Sequence, residues 1–119
     1  MILTPEKILD AHKLIISCYG GTEGILCQGT VDYLVDQVND EPDLFRKAAI
    51  SMQIIANCHP FLDGNKRTAF QIAELILSSE RYIITAEEER IIRMLLRIAR
   101  YKCRIDDVES WLRKNTAKI

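Results

Sequence analysis

Apolar side chains recur every three or four residues along most of the chain, which is the spacing of helices that bury one face. The first helix is predicted to follow Thr4, a capping side chain, with Pro5 at its first position. A second helix is predicted from about Thr30 to Val38. A third is predicted to begin around Asp40, with Pro42 in its first turn. The N-terminal half of the chain is therefore predicted to be helical.

A later helix carries apolar side chains around most of its circumference rather than on one face. These side chains are Ala69, Phe70, Ile72, Ala73, Leu75, Ile76 and Leu77. A helix that is apolar on nearly every side belongs in the centre of a bundle, where each side meets a neighbour. We therefore expect it to be the buried central helix.

Two more helices are predicted toward the C-terminus. Thr85 and Glu88 have the spacing of a capping box for the first of them. Asp106 or Asp107 is expected to cap the last helix, and Lys114 to Ile119 to form a frayed tail. Together the elements predict an all-α fold, a compact bundle of about six helices in one domain that spans residues 1–119.

The composition agrees with a small autonomous domain. The 119 residues are 48% hydrophobic and carry a formal net charge of −1. A chain of this length buries roughly two-thirds of its unfolded surface, enough for a core without disulfides. The near-zero net charge argues against direct nucleic-acid binding, which depends on clustered Lys and Arg. Because no long apolar segment occurs, we expect no membrane span and no signal peptide, and we predict a cytoplasmic protein.

Cysteine and histidine are too scattered to suggest zinc. The four cysteines include no Cys-x-x-Cys pair, and His12 and His59 are the only histidines. This distribution argues against a zinc site. His12 lies within the first predicted helix, and we expect a structural role for it.

Three glycines interrupt the helical pattern after the first helix, namely Gly20, Gly21 and Gly24. Glycine adopts backbone conformations that other residues avoid, and it disfavours a helix. We expect a mobile loop, here called the flap, near residues 20–29. Ile25 to Cys27 offers at most a short strand.

The motif segment, His59 to Thr68, concentrates reactive side chains immediately before the central helix. The imidazole of His59 can accept a proton near neutral pH, so we predict that it is a general base. Asp63 supplies hard oxygen ligands suited to Mg²⁺ that also binds substrate phosphates. Phe61 is expected to anchor the segment in the core.

The first turn of the central helix is a predicted phosphate site. Its free backbone N–H groups and the helix dipole attract anions. Gly64 lets the backbone approach a ligand, and Asn65 can cap the helix while offering an amide donor to phosphate. Lys66 and Arg67 supply positive charge, and the arginine can bind phosphate oxygens in a bidentate manner.

Each of these residues also has a plainer explanation. Taken alone, His59 could be a hydrogen-bonded structural residue, Asn65 a simple helix cap, and Lys66 with Arg67 a solvated first turn. Two cations at a helix N-terminus oppose the dipole, however, at a cost of about 0.3–1 kcal/mol each unless an anion is nearby. The combination therefore favours phosphate chemistry.

The motif segment resembles the signature of the Fic/Doc superfamily. The Fic pattern is His-Pro-Phe, two residues, then Gly-Asn-Gly-Arg, and the chain departs from it only at the second glycine. Lys66 stands there, as in the Doc (death-on-curing) branch. The run from Ile16 to Gly21, followed by Gly24 and Gly29, is similar to the family's flap near the active site. The resemblance covers nearly the whole chain.

The resemblance also implies an activity. The lysine fills the pocket that holds the α-phosphate in Fic enzymes, so that ATP binds turned around and its γ-phosphoryl group is transferred. The implied catalytic residues are His59, Asp63, Lys66 and Arg67, with ATP and Mg²⁺ as cofactors. For the Doc branch the implied target is a threonine of translation elongation factor Tu, and the implied partner is a neutralising antitoxin.

Two alternatives stay open at this point. Pro60 and Gly64 are closer to the Fic pattern, so transfer of AMP in place of phosphate is the nearest rival. The second alternative is an inactive helical module that keeps the segment but acts only by binding a partner. Nucleotide binding without transfer of any part of the nucleotide would favour this module over both enzymes.

The mode of inhibition can also be predicted. Fic enzymes resemble one another in being blocked by a helix with the pattern Ser/Thr-x-x-x-Glu-Gly/Asn. Thr85 and Glu89 have that spacing, but Arg90 follows where Gly or Asn is expected. We therefore predict inhibition in trans by a separate antitoxin.

A row of arginines in the fifth predicted helix has two interpretations. Arg93, Arg97 and Arg100 lie at helical spacing. Such a row usually forms a solvated face, although it can also recognise an acidic partner.

Overall fold

A computed structural model describes all 119 residues as six helices and one small sheet. In chain order the elements are α1 Pro5–Tyr19, α2 Gln28–Asp40, α3 Leu44–Cys58, α4 Asn65–Ser78, β1 Tyr82–Ile84, α5 Glu88–Ala99, α6 Ile105–Lys114 and β2 Thr116–Lys118. The predicted all-α fold is confirmed, because the sheet consists of two three-residue strands. None of the helices has both the length and the apolar character that crossing a membrane requires.

Helices α3 and α4 form the centre of the bundle. They pack against each other, while α3 also meets α2, α5 and α6, and α4 also meets α1 and α5. The prediction that α4 is central is confirmed, and the helix buries the side chains of Asn65, Thr68, Ala69, Ile72, Ala73, Ile76 and Leu77. Because α4 is held by neighbours on several sides, its N-terminus has a fixed position in the fold.

The start of α1 follows the prediction, whereas α2 is longer than predicted. The Thr4 hydroxyl accepts a hydrogen bond from the backbone N–H of Lys7 at 3.2 Å, and Pro5 is the first residue of α1. Helix α2 begins at Gln28 rather than Thr30 and continues through Asp40. It therefore takes in the last two residues of the predicted flap.

The predicted start of α3 is wrong. Helix α2 still occupies Asp40, and Pro42 lies in the connection rather than in a first turn. Helix α3 begins at Leu44 because the Asp43 carboxylate caps it, accepting a hydrogen bond from the backbone N–H of Arg46 at 3.0 Å. Both Asp43 oxygens also accept hydrogen bonds from Arg113 of α6, at 2.9 and 2.8 Å.

Replacing Asp43 is expected to destabilise the fold in a pH-dependent way. The hydrogen bond from the Arg46 backbone, followed by the contact with Arg113, lowers the pKa of Asp43. A lowered carboxyl pKa means that this stabilisation is complete above the pKa of the unfolded chain and is lost as pH falls through the folded value. At neutral pH, Asp43→Ala should therefore lower the free energy of unfolding by about 1 kcal/mol in urea titrations, and by little at acid pH. A deficit that is equal at both pH values would contradict this account, and Asp43→Asn, which keeps the cap, serves as the control.

Two of the predicted caps toward the C-terminus are also wrong. Thr85 does not cap α5, whose capping position is Glu87. The backbone N–H of Thr85 instead donates to the carbonyl of Asn115 at 2.7 Å. Neither Asp106 nor Asp107 occupies the capping position of α6, which is Arg104. Asp107 lies in the first turn, and its carboxylate accepts a hydrogen bond from the Arg104 backbone N–H at 3.0 Å.

The predicted frayed tail is largely ordered. Thr116–Lys118 forms β2, which pairs antiparallel with β1 so that Ile83 lies opposite Ala117. The sequence offers little sign of this pairing, because each strand is only three residues long. This pairing joins strands that are separated in the chain by α5 and α6, and it attaches the C-terminus beside the end of α4.

Candidate active site

The motif segment forms the connection between α3 and α4. His59 ends α3 in a left-handed backbone conformation with φ of 49°, and its backbone N–H donates to the Ile55 carbonyl at 3.2 Å. Phe61 is fully buried, which confirms its predicted role as the anchor. A non-glycine residue held at positive φ is uncommon and occurs often at functional sites.

The two histidines of the chain have opposite environments. His12 is buried, whereas the ring of His59 is partly exposed and makes no hydrogen bond within the chain. The plainer explanation, that His59 is a hydrogen-bonded structural residue, therefore does not hold, because the ring makes no such bond. This ring is free to meet a substrate at the end of α3.

His12 fixes the motif segment from the side of α1. Its Nε2 lies 2.8 Å from the carbonyl oxygen of Asp63, and its ring stacks on Phe61 with 3.8 Å between ring centroids. Because a carbonyl only accepts hydrogen bonds, Nε2 must be the donor. The structural role predicted for His12 is confirmed, and this role holds Asp63 in place.

Removing this support is expected to weaken transfer as well as stability. His12→Ala leaves the partly buried Asp63 carbonyl unpaired and a cavity beside Phe61, which should cost about 2–3 kcal/mol of unfolding free energy. A displacement of the loop by roughly 1 Å should also slow transfer by up to about 10²-fold. Urea titrations and single-turnover rates per folded molecule measure the two effects. Full transfer by folded His12→Ala would show that His12 only stabilises, and His12→Gln, which keeps a donor, should recover part of the rate.

Asn65 does not cap α4 as predicted. The capping residue is Gly64, and Asn65 is the first helical residue. The buried Asn65 side chain accepts a hydrogen bond from the Phe61 N–H at 3.0 Å and donates one to the Phe61 carbonyl at 2.9 Å. This pair of bonds closes the motif segment into a rigid turn. Direct contact between Asn65 and phosphate stays a prediction.

The N-terminus of α4 presents unpaired backbone donors. Gly64 has φ of 77° and provides no side-chain cap, and the N–H groups of Asn65, Lys66 and Arg67 have no acceptor within the chain. A side chain at Gly64 would also come within 3.2 Å of Ile16. Successive free N–H groups at a helix N-terminus form a site for an anion such as phosphate.

Two unpaired cations flank these donors. Neither Lys66 nor Arg67 takes part in any of the ion pairs of the fold. The Arg67 guanidinium lies 3.9 Å from the centre of the Tyr19 ring, a contact that orients it without neutralising its charge. The positive charge predicted for this turn is therefore uncompensated within the chain.

The flap lies against the motif segment. The backbone N–H groups of Leu26 and Cys27 both donate to the Pro60 carbonyl, at 2.8 and 3.2 Å, and Leu62 donates to Gly24 at 3.1 Å. Ile25 to Cys27, predicted to form at most a short strand, contributes a single antiparallel bridge, between Ile25 and Phe61. The flap and the motif segment therefore form one continuous surface.

Asp63 connects the flap to the anion site. One of its carboxylate oxygens accepts a hydrogen bond from the Thr22 N–H at 2.8 Å. Gly21 leaves room for this approach, since a Cβ there would lie 3.2 Å from the Asp63 Cβ. The other carboxylate oxygen has no donor within the chain. Asp63 is exposed, so this oxygen can take a ligand.

These residues fit Mg²⁺ only together with phosphates. No group of three or more His, Cys, Asp or Glu side chains converges in the structure. Mg²⁺ is commonly held by one or two carboxylates together with substrate phosphates and water. Asp63, which directly precedes the free N–H groups of α4, matches that arrangement.

An apolar groove of about 500 Å³ begins at Arg67 and Tyr19 and runs between α4 and α5. Its volume is in the range of small-molecule sites. Glu74 lies partly buried along it, and burial raises the pKa of this carboxyl. The groove extends the candidate site away from His59.

Comparison with known proteins assigns the chain to a family. A sequence model of the Fic/DOC family matches residues 2–77, which is more than half of the chain. The chain belongs to the Fic/DOC family. Within it, the chain is 33% identical over 81 residues to "Protein kinase doc" of Escherichia phage P1, in an alignment that covers 63% of the chain and 64% of the phage protein. The chain therefore spans less than two-thirds of that relative's length. The family match and this relative together confirm the predicted Doc branch.

The matched region of this Fic/DOC chain contains the flap, the motif segment and the first turn of α4, although not the α5 side of the groove. It also includes α1 and most of the rest of α4. Sequence reasoning missed two contributors, the Thr22 N–H that contacts Asp63 and the Tyr19 ring beneath Arg67. Thr22 lies within the predicted flap and Tyr19 directly before it, which was the only signal for the two residues.

Proposed function

We propose that the protein is a Doc-type phosphotransferase that moves the γ-phosphoryl group of ATP to a hydroxyl of a target protein. The proposal rests chiefly on the free His59 ring. This residue lies six positions before Asn65, the first residue of α4, whose N-terminus has no side-chain cap and carries two unpaired cations. A base beside an anion site suits transfer of a phosphoryl group. Membership of the Fic/DOC family supports it.

In the proposed reaction His59 accepts the proton of the target hydroxyl. The hydroxyl oxygen then forms a bond to the γ-phosphorus, while the bond from the γ-phosphorus to the oxygen that bridges it to the β-phosphate breaks. ADP leaves with the electron pair of that bond. The N–H groups at the start of α4 bind the phosphate oxygens and stabilise their charge throughout.

The remaining residues of the site position the nucleotide. Asp63 holds Mg²⁺, which supplies charge neutralisation at the phosphate oxygens. Lys66 and Arg67 bind different phosphates, with Lys66 placed where a glycine would leave room for the α-phosphate. Occupation of that position by a lysine favours the orientation that presents the γ-phosphoryl group to the target.

We further propose a toxin role, with elongation factor Tu as the target and inhibition of translation as the outcome. Control would come from an antitoxin in trans. In support, Thr85 and Glu89 cannot form the inhibitory helix of Fic enzymes, because Thr85 lies before α5, which begins at Glu88. Within these 119 residues the fold offers no other candidate for that helix.

ATP that carries a radioactive label at a chosen phosphorus shows which group is transferred. The protein is incubated with Mg²⁺, a mixture of translation factors and ATP that is radioactive at either the γ- or the α-phosphorus. Label retained on protein from γ-labelled ATP alone supports phosphoryl transfer. Label from α-labelled ATP would show that AMP is transferred, and nucleotide binding without label from either would indicate an inactive binding module.

A further inference from the structure

The most basic stretch of the chain lies outside the candidate active site. Residues 90–104 contain six Lys and Arg side chains and no Asp or Glu, whereas the remaining 104 residues carry ten basic and seventeen acidic side chains. Charge is thus segregated in a protein whose net charge is −1. Four of the six cations form what we call the basic stripe, namely Arg90, Arg93, Arg97 and Arg100.

The basic stripe follows one edge of α5, with Arg100 directly after its last residue. It extends over about 15 Å at the rise of an α-helix. All four side chains are exposed, and the only ion pair among them joins Arg93 to Glu89 at 3.4 Å. Like charges at this spacing repel one another and weaken a helix. Since the other three arginines form no ion pair within the fold, the stripe suggests an acidic partner outside the chain.

A shallow groove of about 140 Å³ opens beside the stripe. Its lining consists of three stripe arginines, Met94 and Trp111 of α6. Helices α5 and α6 both pack on α3, and the Trp111 ring is partly exposed between them. The indole N–H has no acceptor within the chain. Arg and Trp are the side chains that most often dominate the energetics of protein interfaces.

The stripe ends near the candidate active site. Tyr101, which follows Arg100, donates its hydroxyl hydrogen to the carbonyl of Asn57 at 3.3 Å. Asn57 lies two residues before His59 in the last turn of α3. The C-terminal end of the stripe is therefore joined to the part of α3 that carries His59. A partner bound along α5 is brought close to the active site through contacts separate from those of the flap.

We propose that the basic stripe and Trp111 dock an acidic surface of the protein substrate. Such a surface would present carboxylates about one helical turn apart and one apolar side chain for the groove. Guanidinium groups bind carboxylates in a bidentate manner, and the free indole N–H supplies one more donor. This inference rests on the proposed protein phosphotransferase function, because the docked partner is the protein whose hydroxyl is phosphorylated.

The first test uses a labelled helical peptide with glutamate at every third or fourth position and one leucine. Its partner peptide has glutamine in place of each glutamate. Fluorescence anisotropy is measured with the parent chain, with the stripe variant Arg93→Glu/Arg97→Glu, and with the control variant Lys13→Glu/Lys114→Glu. The control makes the same change in net charge at exposed residues outside any ion pair.

The parent chain and the control variant should bind the acidic peptide about tenfold more tightly than the stripe variant does. The affinity of the milder variant Arg93→Gln/Arg97→Gln should lie between those of the parent chain and the stripe variant. Circular dichroism verifies that each variant is folded. Equal binding of the two peptides by the parent overturns the inference. A uridine homopolymer RNA that binds the stripe in preference to the acidic peptide also overturns it.

The second test measures transfer to purified elongation factor Tu. The stripe variant should raise KM for the factor about tenfold with kcat and the KM for ATP unchanged, because Arg93 and Arg97 belong neither to the proposed base nor to the proposed nucleotide site. An unchanged KM would show that the stripe does not dock the substrate, even though the proposed function stands. Absence of transfer by the parent chain would instead reject the proposed target, and the peptide test would still decide what the stripe binds.

Discussion

His59→Asn is expected to slow phosphoryl transfer by roughly 10²–10⁴-fold, the usual contribution of a positioned general base. Asparagine is the sharper replacement for this position, because it tolerates the left-handed backbone that His59 adopts at φ of 49°. It therefore removes the base without straining the end of α3. Single-turnover rates with saturating ATP measure the loss.

The stability of His59→Asn distinguishes chemistry from folding. The His59 side chain makes no hydrogen bond within the chain, so its replacement should leave the free energy of unfolding within about 0.5 kcal/mol of the parent value. The affinity for ATP should also be preserved, since the predicted phosphate contacts come from α4. A variant that transfers as fast as the parent would show that His59 is not the base.

Asp63→Asn is expected to reduce transfer by roughly 10²–10³-fold at low Mg²⁺, because a metal ligand is worth several kcal/mol of charge stabilisation. The amide oxygen of asparagine can still accept the hydrogen bond that the Thr22 N–H donates at 2.8 Å. The flap should therefore keep its position while the negative charge is lost.

A magnesium titration separates this effect from a structural one. The concentration of Mg²⁺ that gives half-maximal transfer should rise in Asp63→Asn, and excess Mg²⁺ should restore part of the rate. An unchanged half-maximal concentration would mean that Asp63 acts through the flap contact alone. The parent chain, assayed over the same range of Mg²⁺, is the reference.

The sequence was sufficient to predict the helices and the position of the site. Both depend on local information, because helical periodicity and the residues of one short segment are visible without knowing what they pack against. The central position of α4 and the burial of Phe61 follow from this kind of signal.

What the sequence could not supply depends on contacts between distant residues. The bond from His12 to the Asp63 carbonyl joins residues 51 positions apart, and the bond from Thr22 to the Asp63 side chain joins residues 41 apart. Asn65 is a local exception. It was predicted to be a cap because asparagine often is one, but its amide pairs with the backbone of Phe61, four positions earlier. The pairing of β2 with β1 was missed because α5 and α6 separate the two strands in the sequence, and each strand is too short to show a periodicity.

We expect this Fic/DOC chain to transfer a phosphoryl group from ATP to a hydroxyl of elongation factor Tu. The most direct test is the intact mass of purified elongation factor Tu after incubation with the protein, Mg²⁺ and ATP, with His59→Asn in a parallel reaction. Phosphoryl transfer should give a gain of about 80 Da that is lost in the variant. A gain of about 329 Da, the mass of an added AMP group, or an unchanged mass would contradict this expectation.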